Sequence, residues 1–420
     1  MLKAHEWASP VVSRNSSLDI KPIFFSKLPV HDTCWSITTG KDGRIYVGVC
    51  GEMTGGLGVY LVSYDPVADR VRYVLDVAEA LGESPDNGHA THSKIHYCLV
   101  PSDDGGLYGA THCTGAPVGD FVWRPWNSWD DPIRMFTGFH IFRYDLETGG
   151  VEDFGSMAPN EGSRAMALCE KHRKLVGITY PRDHFYTFDL KSNEYRDLGR
   201  IGDINSQSVF LDRDENAYTV DDYGSLVKYD QASDRLMHLD VRLPYADYRE
   251  GSFNLMYDSV PSTDGESIYG VHWNVDIRLL DNRLFRYDPF DGPEGKIHDL
   301  GWAYRPEEAG PASADFQNHH TGGLVFGPDG HLYFAAYVHW KEPKGMYLIR
   351  MNTETLEREE LGPILDSNRV MAEYVAKATI DFQGGLYFAT CASRPTGIFA
   401  YRPEAGLGRG LSFADVRRWG

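Results

Sequence analysis

The chain has 420 residues, 13% of them aromatic, and a formal net charge of −19 at pH 7. This excess of carboxylates argues against a nucleic-acid partner, because phosphate backbones are bound by clustered Lys and Arg side chains. No apolar stretch approaches the roughly 18 residues of a membrane span, and the N-terminus lacks the apolar core of a signal peptide. We therefore expect no membrane partner and a cytoplasmic location. The six scattered cysteines fit reduced thiols.

A repeated unit is the main structural signal. Each copy contains an apolar run, a turn usually built on Asp-Gly, and a second run. A third run, which in most copies ends in an aromatic residue followed by Asp, comes next, and a fourth run precedes the next copy. The third runs end at Tyr64-Asp65, Tyr144-Asp145, Phe188-Asp189, Tyr229-Asp230, Tyr287-Asp288, Met351-Asn352 and Tyr401. Repeats of four short strands predict an all-β fold, a seven-bladed β-propeller with four-stranded antiparallel blades. The whole chain, 1–420, is then a single domain.

In chain order, we place the blades at 33–76, 90–155, 163–200, 205–241, 254–301, 319–362 and 374–403. The segment 18–29 reads as a strand without a blade of its own. We expect it to complete the last blade and close the ring, which removes an open sheet edge. A long loop at 114–137 is expected over the top face.

Antiparallel connectivity predicts which rim of the propeller carries the site. Residues just before the first strand and just after the second strand of each blade share one rim, opposite the Asp-Gly turns. Most of the 16 histidines fall on this rim. Imidazole suits proton transfer near neutral pH and metal ligation, so we predict that the functional site lies there.

Four residues of this rim have the chemistry of a catalytic set. His92 and His112 flank the first hairpin of the second blade, and two imidazoles can act as base and acid on either side of a bond. Arg164 and Tyr180 follow in the third blade, where a guanidinium can clamp a carboxylate and a phenol can exchange a proton. Taken singly, each of the four also fits a capping, ion-pairing or packing role.

Other residues of the rim are candidates for binding substrate or metal. The substrate-binding candidates are Trp123, Trp126, Asn205, Gln207, Trp273 and His339. Flat aromatic faces suit stacking on sugar rings, and the two tryptophans of the long loop can equally anchor that loop. The metal candidates are His272, Gln317, His319 and His320, since imidazole and amide groups suit a divalent ion. His319 and His320 can instead bind substrate or loop carbonyls.

These residues resemble those of the seven-bladed β-propeller polysaccharide lyases, namely ulvan lyases, rhamnose–glucuronate lyases and, more distantly, oligogalacturonate lyases. The resemblance rests on the blade number, on His92 and His112 at one early hairpin, and on Arg164 and Tyr180 one blade later. It implies β-elimination in an acidic, uronate-containing oligosaccharide, with these four residues as the catalytic set. The stretch 317–320 with His272 resembles the Gln/His metal cluster of the oligogalacturonate lyases, which implies a divalent metal (Mn, Ca or Zn).

Two other functions stay open at this point. A propeller glycoside hydrolase needs a pair of carboxylates near the channel, and Asp32, Asp221 and Asp222 are available for it. A non-catalytic propeller that binds a ligand is the other alternative, because this fold serves many functions. Products with a new double bond would distinguish the lyase from the hydrolase.

Overall fold

The computed structural model describes residues 11–13, 18–52, 58–84, 88–113, 131, 133–202, 206–244, 252–276, 279–305, 320–365, 372, 374–391, 396–404, 408 and 410–420. The structure is all-β, and its strands form seven sheets in the arrangement of a seven-bladed β-propeller. The predicted fold class is therefore confirmed.

The first three blades follow two short N-terminal strands, β1 (Val11–Ser13) and β2 (Ile20–Phe24). The first blade contains β3 (Thr33–Thr39), β4 (Ile45–Cys50), β5 (Tyr60–Asp65) and β6 (Arg70–Asp76), and helix α1 (Val77–Ala80) follows it. The second contains β7 (Leu99–Pro101), β8 (Gly106–Ala110), β9 (His140–Asp145) and β10 (Val151–Ser156). The third contains β11 (Gly162–Cys169), β12 (Lys174–Tyr180), β13 (His184–Asp189) and β14 (Glu194–Arg200).

The remaining four blades follow in chain order. The fourth contains β15 (Phe210–Leu211), β16 (Ala217–Val220), β17 (Ser225–Asp230) and β18 (Arg235–Arg242). The fifth contains β19 (Ser252–Pro261), β20 (Ile268–Asp276), β21 (Leu279–Asp288) and β22 (Lys296–Trp302). The sixth contains β23 (Thr321–Phe326), β24 (Leu332–Val338), β25 (Gly345–Met351) and β26 (Arg358–Pro363). The last contains β27 (Tyr374–Ile380), β28 (Leu386–Cys391) and β29 (Gly397–Tyr401), and helix α2 (Phe413–Trp419) ends the chain.

The N-terminal strands complete two of these sheets. β2 is the outer strand of the last blade, beside β29. β1 pairs in parallel with β26 and adds a fifth strand to the sixth blade, which the repeat did not predict. Neither helix in the described ranges has the length and hydrophobicity that crossing a bilayer requires.

The aromatic-Asp ends of the third strands are turn caps. Oδ1 of Asp65 accepts hydrogen bonds from the backbone N–H groups of Val67 and Ala68, at 3.0 and 2.9 Å. Asp145 accepts in the same way from Glu147 and Thr148, at 3.2 and 2.8 Å. A carboxylate that takes the amides two and three residues ahead replaces a backbone turn partner. The repeated Asp is therefore structural.

The first-hairpin turns carry a second repeated contact. In five of these hairpins, an Asp of the turn accepts a hydrogen bond from the hydroxyl of a Tyr in the following strand, and the pairs are Asp42 and Tyr46, Asp104 and Tyr108, Asp212 and Tyr218, Asp329 and Tyr333, and Asp381 and Tyr387. These tyrosines are buried, and a buried hydroxyl needs a partner. The contact ties each turn to the core of its own blade.

Residue contacts divide the chain into two compact units. Unit 1 contains Met1–Pro22, Ser206–Phe388 and Phe399–Gly420, and unit 2 contains Ile23–Asn205 and Ala389–Ile398. Each unit has its own apolar core. The core of unit 2 includes Tyr46, Leu107, Phe142, Met166 and Phe188. In unit 1, one cluster of buried residues includes Val325 and Phe388, and another includes Met256 and Phe285.

Candidate functional site

A polar cluster in unit 2 is formed by the strand ends of the first three blades. We call it the central cluster, and it consists of Trp35, Glu52, Lys94, His96, His112, Arg164 and Tyr180. Trp35 lies in β3 and Arg164 in β11, while Glu52, His112 and Tyr180 lie at or just beyond the ends of β4, β8 and β12. Since paired strands run antiparallel, these positions share a rim.

His112 is held between its own blade and the third blade. Its backbone exchanges two hydrogen bonds with Lys94, at 2.7 and 3.0 Å, which extend the β7–β8 hairpin toward the rim. Its ring centroid lies 5.2 Å from that of Tyr180. Gly162 leaves room for the ring, because a Cβ at that position would lie 2.6 Å from Nδ1 of His112. The side chain position is therefore fixed by packing.

His96 lies deeper in the same cluster. Its ring is stacked on Trp35, with centroids 4.7 Å apart and planes 20° apart, and its centroid is 6.0 Å from that of His112. His96 is 0% and His112 is 2% exposed. Among the residues that the structure describes, none forms a hydrogen bond with a ring nitrogen of either histidine. Buried polar atoms are usually paired, so this concentration of ring nitrogens makes the central cluster the candidate functional site.

Arg164 and Tyr180 form a stacked pair beside His112. The pairing of β11 with β12 shifts between Ser163 and Ala165, and such a bulge redirects the side chain of the intervening Arg164. Its guanidinium carbon lies 4.8 Å from the centre of the Tyr180 ring. Burial raises the pKa of Tyr180 to about 12, although Arg164 acts in the opposite direction. The phenol is therefore protonated near neutral pH.

Lys94 and Glu52 form an ion pair within the cluster. Nζ of the buried Lys94 donates to Oε2 of Glu52 at 2.9 Å and lies 4.2 Å from the centre of the Trp35 ring. The same Oε2 accepts a hydrogen bond from Nε1 of Trp35 at 2.8 Å. Burial alone would raise the pKa of Glu52, but the charge and hydrogen bond of Lys94 outweigh burial and lower it. The carboxylate is therefore ionised near neutral pH.

The two imidazoles are neutral for a shared physical reason. Burial holds the pKa of His112 well below its usual range, and the charges of Lys94 and Arg164 lower it further. The same three causes hold the pKa of His96 down. Backbone groups of Cys113 and Arg164 raise the pKa of His112 and His96, respectively, but by a smaller amount. The site thus combines neutral bases, a protonated phenol and two cations, which suits proton abstraction beside a carboxylate.

His92, the fourth predicted catalytic residue, contacts a different set of groups. Its Nδ1 lies 2.8 Å from Oγ1 of Thr111, and its backbone N–H donates to Glu83 at 2.8 Å. Its ring lies 4.8 Å from that of His140. Burial, with a smaller contribution from His140, lowers the pKa of His92 to about 3. The structure therefore brings His112, Arg164 and Tyr180 together and surrounds His92 with other partners.

Two of the four predicted metal ligands lie in the described part of unit 1. Both ring nitrogens of His272 are engaged, Nδ1 with the carbonyl of Pro244 at 2.9 Å and Nε2 with Asn254 at 3.2 Å. Nε2 of His320 lies 2.9 Å from the carbonyl of Val375. Burial, opposed by these carbonyls, lowers the pKa of each histidine to about 4. Both rings are thus held by the backbone.

The other metal candidates, Gln317 and His319, lie outside the described residues. Within the described ranges, Asp288, Asp291 and His298 each offer a ligand atom, and these atoms lie close enough to one another to share an ion. His298 lies 2.9 Å from Asp288, which also pairs with a neighbouring arginine, so this surface group is explained as an ion-pair network.

Three of the six predicted substrate-binding residues lie in the described part of the chain. Trp123, Trp126 and Asn205 lie outside the described residues. In unit 1, the backbone N–H of Gln207 donates to Met256 at 2.9 Å, Trp273 lies 6.4 Å from the His320 ring, and His339 lies 5.2 Å from the Trp340 ring.

Two of the three carboxylates considered for a hydrolase, Asp32 and Asp221, have structural partners. Asp32 is 1% exposed and accepts hydrogen bonds from Thr33 and from the backbone N–H of Glu52, at 2.9 and 2.8 Å. Asp221 caps a turn by accepting from the backbone N–H groups of Tyr223 and Ser225, each at 2.9 Å. Both therefore stabilise loops.

Sequence reasoning missed Lys94, Trp35 and His96 as members of this cluster. Lys94 and His96 precede β7, outside the regular ladder, where two isolated bridges, Lys94 with His112 and Tyr97 with Ala165, hold the chain. The one available signal was the spacing of His92, Lys94 and His96 at every second residue.

Comparison with known proteins supports the fold. No family model matches the chain, and no curated protein matches it. The extracellular domain of a one-component system from B. thetaiotaomicron is similar over 92% of this chain, with a TM-score of 0.56 and 15% identity, and this chain spans 40% of the length of that one. Virginiamycin B lyase from Staphylococcus aureus is similar over 91% of this chain and 99% of its own, with a TM-score of 0.55 and 12% identity.

A third similar structure is the β-propeller domain of Myceliophteria thermophila Cps50 (Swd1), which aligns over 92% of this chain and 100% of its own, with a TM-score of 0.56 and 12% identity. The three differ in their described roles, and one of them is an enzyme. At these identities, the likeness shows a propeller fold and no particular activity.

Proposed function

We propose that the central cluster catalyses β-elimination in a uronate-containing oligosaccharide, which would make the protein a carbon–oxygen lyase. The observation that carries this proposal is the buried, neutral imidazole of His112, in ring contact with a protonated phenol and near two cations. Elimination needs a base, an acid and positive charge at one place, and the cluster supplies each of them.

The reaction assigns one step to each group. His112 takes the proton from C5, which lies next to the carboxylate, and the released electron pair forms the C4–C5 double bond. The C4–O bond breaks, and the hydroxyl of Tyr180 gives its proton to the leaving oxygen. Arg164 neutralises the substrate carboxylate, so that negative charge spreading onto it in the transition state is stabilised.

Substrate binding also adjusts the basicity of His112. In the protein alone, Lys94 and Arg164 lower the pKa of this imidazole, which weakens it as a base. A substrate carboxylate bound to the guanidinium would offset that positive charge and raise the pKa again. The base would then be strongest when the proton to be removed is in place.

Substitution of the proposed base tests the reaction. We expect His112→Ala and Arg164→Ala each to lower the rate of double-bond formation by roughly 10²-fold or more, since acid–base groups typically contribute 10²- to 10⁴-fold. The measurement is ultraviolet absorbance of the unsaturated product, with uronic-acid oligosaccharides as substrates. The matched control is His140→Ala, which removes a histidine of the same blade outside the central cluster.

The products discriminate between the candidate functions. Wild-type-like turnover in either central variant would remove that residue from the scheme. Cleavage without a new double bond would favour a hydrolase, and binding of oligosaccharides without any cleavage would favour a ligand-binding propeller.

A further inference from the structure

The central cluster has an exposed layer and a buried layer. Trp35, Glu52, Arg164 and Tyr180 are partly exposed, and the side chain of Glu52 is 26% exposed. Lys94, His96 and His112 are buried. A ligand that enters the cluster therefore meets the Glu52 carboxylate together with the Arg164 guanidinium.

We propose that Glu52 selects ligands by charge: it occupies the amino group of Lys94 and so restricts the site to sugars that carry a single negative charge. The identity of the sugar as a uronate rests on the proposed function, whereas the charge preference rests on the cluster itself. No part of the proposed elimination uses Glu52 or Lys94 as a base or an acid.

The charges of the cluster support this role. Lys94 and Arg164 are the cations that act on both imidazoles, and Glu52 is the carboxylate paired with Lys94. With Lys94 neutralised in this way, Arg164 remains for one acidic group of the ligand. A second acidic group would lie close to the ionised Glu52, and like charges repel. The negative charge of a further carboxylate, Asp183, raises the pKa of Tyr180 and would add to that repulsion.

The same charges argue against a metal ion between the two imidazoles. The unpaired ring nitrogens of His96 and His112 would suit a transition metal by their chemistry. The positive charges of Lys94 and Arg164, however, lower the pKa of both histidines and would repel a cation there. An anion with hydroxyl groups fits better, because each neutral imidazole can donate one hydrogen bond and accept another.

Isothermal titration calorimetry with three sugars of similar size tests the inference. The probes are glucose, glucuronate and glucose 6-phosphate at pH 8, which carry about zero, one and two negative charges. The wild-type protein should bind glucuronate most tightly. In Glu52→Gln, the affinity should rise roughly fivefold for glucuronate and roughly 25-fold for glucose 6-phosphate, because Coulomb energy scales with the product of the charges. The affinity for glucose should stay unchanged.

A charge-restoring double variant is the matched control. Glu52→Gln combined with Lys94→Met has the net charge of the wild type. This double variant should return the wild-type ratio of the affinities for glucose 6-phosphate and glucuronate. Where Glu52→Gln folds poorly by circular dichroism, Glu52→Ala serves in its place. An unchanged ratio of the affinities for glucose 6-phosphate and glucuronate in the single variant, or an equal gain for glucose, would overturn the inference. If the affinities change as expected but no product with a double bond forms, the proposed lyase activity is rejected and the charge selection stands.

Discussion

At the scale of single residues, the main property of this site is that burial sets the protonation states. His112 and Tyr180 have pKa values moved in opposite directions, the imidazole downward and the phenol upward to about 12, and desolvation is the largest cause for both. Desolvation always disfavours the charged form, so both groups are neutral over a wide pH range. The pair is therefore prepared for proton abstraction by one member and proton donation by the other.

These shifts predict the pH dependence of kcat/KM, which reports the ionisations of the free enzyme. The acid limb should lie below the usual imidazole pKa of about 6.5, because His112 stays unprotonated to lower pH. No basic limb from Tyr180 should appear up to about pH 10. The check is a pH profile between pH 4 and 10, with the imidazole signals of His112 followed by NMR. An acid limb above pH 7 that tracks the His112 signal would contradict the assignment.

At the scale of elements, the predictable features are those that a local sequence fixes. β5, β9, β13, β17 and β21 all end at the Asp of an aromatic-Asp pair. In the first four of these strands, the Asp carboxylate caps the next turn by accepting from backbone N–H groups two or three residues ahead. Such a cap depends on residues two and three positions away, so it can be recognised in one sequence. The second blade was placed from residue 90, but β7 begins at Leu99, because irregular bridges precede it.

Convergence between blades could not be predicted in the same way. His112, Arg164 and Tyr180 were identified because they occupy strand ends, which connectivity assigns to one rim. Lys94 joins them through an ion pair with Glu52, and Trp35 joins them through a ring contact with His96. In each pair, the two residues are distant in sequence. Their partners depend on side-chain packing between strands, and the spacing of Lys94 and His96 at every second residue does not identify those partners.

The first-hairpin turn of the second blade provides a stability test at this scale. Burial raises the pKa of Asp104, but hydrogen bonds and charge from Arg173, the Gly106 amide and Arg143 lower it to about 2. A depressed carboxyl pKa stabilises the fold above its unfolded value of about 3.8 and loses that stabilisation as the pH falls toward 2. After allowance for solvent screening, we expect about 1 kcal/mol from this group.

The variant Asp104→Asn should remove this part of the acid sensitivity. Denaturant unfolding between pH 5 and pH 2.5 measures it, as a smaller loss of unfolding free energy than in the wild type. Asp103→Asn is the matched control, since Asp103 is the adjacent residue and its backbone N–H and carbonyl contact Glu170 and Lys41. Equal pH slopes in Asp104→Asn and the wild type would show that the turn carboxylate contributes nothing.

At the scale of the whole molecule, the last blade depends on residues from both ends of the chain, because β2 lies beside β29. The backbone N–H of Phe25 donates to the carbonyl of Thr396 at 2.9 Å, and Ile23, Phe25 and Leu28 are buried.

Deletion of residues 1–28 should therefore cost several kcal/mol, at about 1.5–3 kcal/mol for each buried apolar side chain, and leave β29 as an open edge that promotes aggregation. Thermal unfolding with light scattering tests this, and deletion of residues 1–17, which removes β1 and keeps β2, is the control. A synthetic peptide of residues 18–28 should partly restore the unfolding temperature of the longer deletion. Identical unfolding of the two deletions would show that β2 is dispensable for closing the propeller.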